Sequence, residues 1–128
     1  MPKFKFSKLV RDKIVDHQIA SGAQPTYRQL NDEEHKKELI KKIQEEALEI
    51  AEAPADEIAA EIADVQQALD DLKEKYGLSD QDITQAQAAK NTKNGAFKKG
   101  LYVESVEVAE DNAWTNYYRQ NADRYPEE

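Results

Sequence analysis

Apolar residues Leu39, Ile40, Ile43, Ala47 and Ile50 return to one face of the chain at a helical period, and the pattern stops at Ala53-Pro54. Asn31-Asp32 followed by Glu33-Glu34 supplies a capping residue and first-turn acids, so the spacing predicts a long helix from that point. Beyond Pro54, Ile58, Ile62, Val65, Leu69, Leu72 and Tyr76 alternate steps of four and three up to Gly77, a narrow packing seam in a second helix for which Asp56 is the expected cap. Two such helices joined by a short connection form an antiparallel hairpin. Before it, Asp12 to Ala20 suits a short helix ending at Ser21-Gly22, and Pro25 keeps the next stretch non-helical. After it, Ser79-Asp80 caps a third helix running from Ile83 through Ala89 to Lys90-Asn91. Leu101 to Val108 alternates as a strand or extended edge segment does, and Trp114, Tyr117 and Tyr118 sit at helical spacing in a short C-terminal helix closed by Pro126. Those aromatics are read as packing residues ahead of base-stacking ones. The expected class is all-α: a helical hairpin forming a four-helix-bundle-type core, with a short extended segment and a C-terminal helix.

Length and composition narrow the chemistry. The 128 residues suit one domain, 1–128, with no linker or repeat. No apolar run exceeds three residues, which excludes a membrane span and a signal-peptide core, so the protein is expected in the cytoplasm. With no cysteine and two isolated histidines, disulfides, iron-sulfur clusters and thiolate or imidazole metal sites are excluded, and any metal is held by oxygen. A net charge of -8 argues against general nucleic-acid binding, which draws on Lys and Arg against phosphates.

That charge is concentrated. Between Ile43 and Leu72 stand Glu45, Glu46, Glu49, Glu52, Asp56, Glu57, Glu61, Asp64, Asp70 and Asp71 without one Lys or Arg. Solvated helices usually interleave opposite charges at four-residue spacing, because like pairs destabilise a helix by roughly 0.2 to 0.5 kcal/mol. On helical wheels Glu46 and Glu49 border the apolar face of the first helix, with Glu45 farther round, and Glu61 and Asp64 flank the seam of the second. In a hairpin whose turn centres near residue 55, Glu49 lies level with Glu61 and Glu46 with Asp64. Four carboxylates then converge across about 8 to 10 Å between helix axes. Magnesium answers that repulsion, since it takes oxygen ligands and binds through carboxylates together with substrate phosphates; manganese suits the same site. A di-iron bundle would need a Glu-x-x-His pair, which neither His17 nor His35 provides. An acidic solvated face that binds nothing is the competing reading.

From Thr84 through Val103 there is no acid, and Lys90, Lys93, Lys98 and Lys99 flank Asn94-Gly95-Ala96-Phe97 and Gly100. Such a loop offers backbone N–H groups and ammonium charge to a phosphate, and Phe97 a face to a base or sugar, although the spacing is not a Walker loop. Lys8, Arg11 and Lys13 form a second basic group. For both groups, plain solvated surface is the alternative.

Glu45-Glu46-Ala47-Leu48-Glu49, followed after eleven residues by Glu61-Ile62-Ala63-Asp64, resembles the Glu-Glu-x-x-Glu...Glu-x-x-Asp signature of the MazG-like, all-α nucleoside triphosphate pyrophosphatases. Lys8-Leu9-Val10-Arg11-Asp12-Lys13-Ile14 resembles the opening of the small members labelled phosphoribosyl-ATP pyrophosphohydrolase-like. Asn94-Gly95-Ala96-Phe97 is similar to their Arg-Gly-Gly-Phe loop, with Asn94 and Ala96 replacing Arg and Gly; Val15 stands where Pro is common. The resemblance implies magnesium-dependent hydrolysis of a nucleotide between the α and β phosphates to a monophosphate and pyrophosphate, often to clear non-standard nucleotides. It further implies Glu46, Glu49, Glu61 and Asp64 as metal ligands and Glu45 and Glu46 as catalytic residues, with Glu45 the group that orients or deprotonates the attacking water. Near the phosphates it places Lys8, Arg11, Lys13, Lys90, Lys93, Asn94, Phe97 and Lys98. The assembly it implies is a homodimer or tetramer. Phosphoribosyl-ATP as substrate, and a non-catalytic acidic dimer that binds a basic partner, are the alternatives.

Overall fold

In the computed structural model, which describes residues 1–128, all regular structure is helical. The helices are α1 Ile14–Ala20, α2 Asp32–Glu52, α3 Ile58–Lys75, α4 Asp80–Asn94 and α5 Thr115–Gln120. The chain divides into two compact units, Met1–Ala88 and Ala89–Glu128, and the division falls within α4.

The first unit is organised by α2 and α3, which pack on each other as an antiparallel hairpin. Asn31 opens α2 by accepting the Glu34 amide at 2.9 Å, which satisfies one of the first turn's free donors. The helix ends where Ala53 and Pro54 turn extended. A single 3-10 turn, Ala55–Glu57, then feeds straight into α3. Asp56 lies inside that turn and does not cap α3. The turn's own bond from the Glu57 amide to the Pro54 carbonyl, 2.9 Å, does the work of a cap. At the far end Gly77, with φ 68°, takes the left-handed conformation, and the amides of Gly77 and Leu78 donate to the carbonyls of Glu74 and Lys73. The open end of the hairpin is tied by Lys75 to Asp32 at 2.9 Å and by Lys36 over the Tyr76 ring at 4.7 Å.

The core between the two helices is thin. Leu39 and Ala68 are its buried apolar side chains, while Leu48, Ile62 and Leu69 stay 70%, 49% and 48% exposed. A second hairpin would be needed to complete a four-helix core.

Ser79 and Asp82 cap α4 reciprocally: the Ser79 hydroxyl accepts the Asp82 amide at 3.0 Å and the Asp82 carboxylate accepts the Ser79 amide at 2.8 Å. The helix continues to Asn94, past the Lys90-Asn91 end expected from sequence, because no breaker intervenes before Gly95, whose φ is 77°. In the second unit Leu101 to Val108 forms no strand; the segment is exposed and its backbone bonds to no neighbour. A lone strand has no ladder partner to hold it. Around α5 the rings of Trp114 and Tyr118 stack at 6.2 Å, and Tyr125 meets Tyr118 at 5.0 Å. Thr115, buried beneath, donates its hydroxyl to the Ala109 carbonyl at 2.7 Å. Arg119 grips Glu110 with two parallel bonds of 2.8 and 2.9 Å. These aromatics therefore pack on one another.

Candidate active site

The hairpin carries five carboxylates to one place. Oxygens of Glu46, Glu61 and Asp64 lie within 4.8 Å of one another, and so do those of Glu45, Glu46 and Glu49, which makes Glu46 the shared member. Helical geometry explains the grouping: Glu45, Glu46 and Glu49 occupy one turn of α2, and Glu61 and Asp64 are three residues apart on α3.

Glu46 is buried at 8% exposure. Its Oε1 reaches Lys42 at 3.8 Å, but its Oε2, like the Oε2 of Glu61, is buried with no hydrogen-bond partner. An ionised oxygen in that position is costly. Burial, reinforced by neighbouring Glu49 and by the charge of Asp64, pushes the Glu46 carboxyl up to about 7. Burial also raises Glu61, with Glu49 and Asp64 again adding to it. Glu45 behaves oppositely. Its partial burial would raise it, but the hydrogen bond and charge of Lys42, together with Lys8, hold it below the ordinary value.

Three cations rim the acids. Lys42 lies 3.1 Å from Glu45, Lys8 lies 3.6 Å from Glu45, and Arg11 Nη2 donates to Asp64 Oδ1 at 2.6 Å. Beside them a cleft of about 500 Å3 is lined by Phe6, Arg11, His35, Leu39, Glu46 and Asp64, among others. The donor set fits a hard divalent cation: all-oxygen, gathered from two helices, with two orphaned buried oxygens that such an ion would satisfy.

The structure thus brings together Glu45, Glu46, Glu49, Glu61, Asp64, Lys8 and Arg11 from the residues singled out by sequence. Lys13 stands at the start of α1, exposed and in no ion pair. Lys90, Lys93, Asn94, Phe97 and Lys98 belong to the second unit; all are exposed, Phe97 at 99%, and none is ion-paired. Sequence reasoning missed Lys42, although its four-residue spacing to Glu46 was a usable signal. It also passed over His35 and Gln67 as cleft residues.

A family model described as dATP/dGTP pyrophosphohydrolase matches residues 17–110, a span that contains all five carboxylates and the basic loop. No curated protein and no solved structure matches the chain. With its acids, its all-helical fold and most of its length accounted for by that match, the chain belongs to the dATP/dGTP pyrophosphohydrolase family, a MazG-like family of nucleoside triphosphate pyrophosphohydrolases, and is a hydrolase acting on nucleoside triphosphates.

Proposed function

We propose that this enzyme hydrolyses purine deoxynucleoside triphosphates, dATP and dGTP, between the α and β phosphates, releasing the monophosphate and pyrophosphate, with magnesium held by Glu46, Glu49, Glu61 and Asp64. The observation that carries this reading is the pair of buried, unpartnered oxygens on Glu46 and Glu61 with Asp64 within reach of both. The family's description supports dATP and dGTP as the substrates.

When bound, the ion supplies Lewis acidity toward the phosphate oxygens and offsets charge on the departing pyrophosphate. The chain's own residues do the rest. Glu45, kept ionised by Lys42 and Lys8, orients the attacking water by accepting its hydrogen bond. Lys8 and Arg11 enter the cleft from the N-terminal segment with charge for the phosphates. In the second unit, Lys90, Lys93 and Lys98 around Asn94 and Phe97 form an exposed basic group whose chemistry suits a phosphate. The family match runs across the boundary between the two units, which supports residues 1–128 acting as one pyrophosphohydrolase domain. The exposed Leu48, Ile62 and Leu69 support a homodimer whose second hairpin completes the four-helix core. We place the enzyme in the cytoplasm, where nucleotides are made and consumed.

Incubation of the pure protein with magnesium and each of dATP, dGTP, dCTP, dTTP and phosphoribosyl-ATP, with pyrophosphate and orthophosphate assayed separately, tests the reading. Pyrophosphate from dATP and dGTP ahead of the others is expected. Orthophosphate as the first product, or preference for another substrate, overturns it.

A further inference from the structure

Arg11 is bonded to one of the carboxylates assigned to the ion. Its guanidinium reaches across 53 residues of sequence to Asp64, the closest approach of any cation to the acid cluster. The segment that carries it is otherwise loosely attached. Met1 to Val10 makes no backbone hydrogen bond, bends at Ser7 in the left-handed region with φ 47°, and is fastened by side chains: Lys8 to Glu45, Arg11 to Asp64, and Leu9 and Val10 half-buried against the cleft. Both ionic fasteners therefore end on the cluster itself.

A divalent ion gathered by Glu46, Glu61 and Asp64 draws on the same carboxylate that Arg11 holds, and two cations at one carboxylate repel each other. A triphosphate in the adjoining cleft reverses the balance, because it presents anionic oxygens that a guanidinium binds in a fork as well as it binds a carboxylate. Resting on the metal assignment made above, we propose that Arg11 is a positioning residue that exchanges partners. It competes with the divalent ion for Asp64 when no nucleotide is bound, and it passes to the phosphates when metal and nucleotide are bound together. Ion and nucleotide then bind cooperatively, and the N-terminal segment, already fastened to the acids in the absence of ligand, is fastened through the nucleotide's phosphates in the complete substrate complex. Differential binding of this kind is the only way one ligand can bias another's site.

Calorimetry on the full chain tests the exchange with Mg2+ alone, and with a dATP analogue whose α–β bridging oxygen is replaced by methylene. Arg11 is exposed, so R11Q leaves the fold intact. R11Q is expected to bind Mg2+ alone about tenfold more tightly than the wild type, and at saturating Mg2+ to bind the analogue about tenfold more weakly. K5Q removes one charge from the same segment at an exposed residue with no ion pair and is expected to do neither. R11K, which keeps the charge without the fork, is expected to fall between wild type and R11Q. In the wild type, the Arg11 guanidinium proton and nitrogen resonances, assigned by their loss in R11Q, should move on adding Mg2+ and move again on adding the analogue. Unchanged or weaker Mg2+ binding by R11Q, or an equal gain in K5Q, overturns the competition. A gain in Mg2+ affinity with analogue binding unchanged overturns the transfer to phosphate. If neither wild type nor R11Q takes up Mg2+, the metal assignment itself falls, an outcome separate from the others.

Discussion

Glu46 on α2 and Glu61 on α3 each point one carboxylate oxygen into the hairpin with nothing to receive it. For Glu46 the consequence is measurable. Its ordinary value is 4.5 and the folded protein raises it to about 7, so the folded state holds this proton more tightly than the unfolded chain does. Stability from this group is fully present below about 4.5 and is lost as pH rises through about 7. The loss is of the order of 3 kcal/mol at most. Thermal denaturation without added metal should give a melting temperature that falls from pH 5 to pH 8. E46Q should flatten that dependence and raise the melting temperature at pH 8 by several degrees; an equally steep pH dependence in E46Q would refute the assignment to Glu46.

The same proton must leave when an ion binds, because a carboxylate ligates in its ionised form. Mg2+ affinity should therefore climb with pH up to about 7 and level off above it. Calorimetry at pH 6.5 in two buffers of different ionisation enthalpy should show protons released on binding. Binding heats that do not depend on the buffer would mean that Glu46 is not among the ligands.

The hairpin and much of its acid cluster were legible in the sequence. A period of 3.6 needs only the apolar positions from Leu39 to Ile50 and from Ile58 to Tyr76, and it placed α2 and α3 almost to the residue. Level positions about a turn near residue 55 paired Glu49 with Glu61 and Glu46 with Asp64, and these acids are neighbours in the fold. Other features depend on tertiary contact. Leu101 to Val108 alternates convincingly, yet alternation does not supply a second strand to pair with. Asp56 has a capping residue's chemistry but falls in a 3-10 turn, because Pro54 sets the chain direction two residues earlier. Lys8 and Arg11 were legible as cations but not as partners of Glu45 and Asp64, since nothing local to a basic segment specifies which acids it will meet.

Removal of single ligands should separate chemistry from folding. Glu49 is exposed and Asp64 half-buried, so neither Glu49→Gln nor Asp64→Asn opens a cavity, and both reduce the negative charge of a crowded cluster. Each variant should lose about 100-fold or more in kcat with its circular dichroism unchanged and its melting temperature no lower than the wild type's. Wild-type turnover in both would show that the carboxylates are not the catalytic centre.

Asn31 tests the hairpin from its open end. Its side chain holds the Glu34 amide at 2.9 Å, and Glu34 in turn receives Arg28 at 2.8 Å, so the first turn of α2 is ordered by both. Asn31→Ala should cost about 1 kcal/mol, a few degrees in melting temperature, with kcat unchanged because the acids lie about four turns away.

Leu69 distinguishes a hairpin that stands alone from one that pairs. It sits on the seam of α3 and is 48% exposed, whereas its neighbour Ala68 is buried at 6%. In an isolated chain, Leu69→Glu replaces a half-exposed side chain by a charged one and should change the melting temperature little. If a second hairpin covers that seam, the substitution places an unpaired carboxylate in the buried face between two copies, a loss that dissociates the dimer. Sedimentation should then show a dimer for the wild type, a monomer for Leu69→Glu, and a wild-type melting temperature that rises with protein concentration. The same sedimentation coefficient for both proteins would rule out a dimer built on this face.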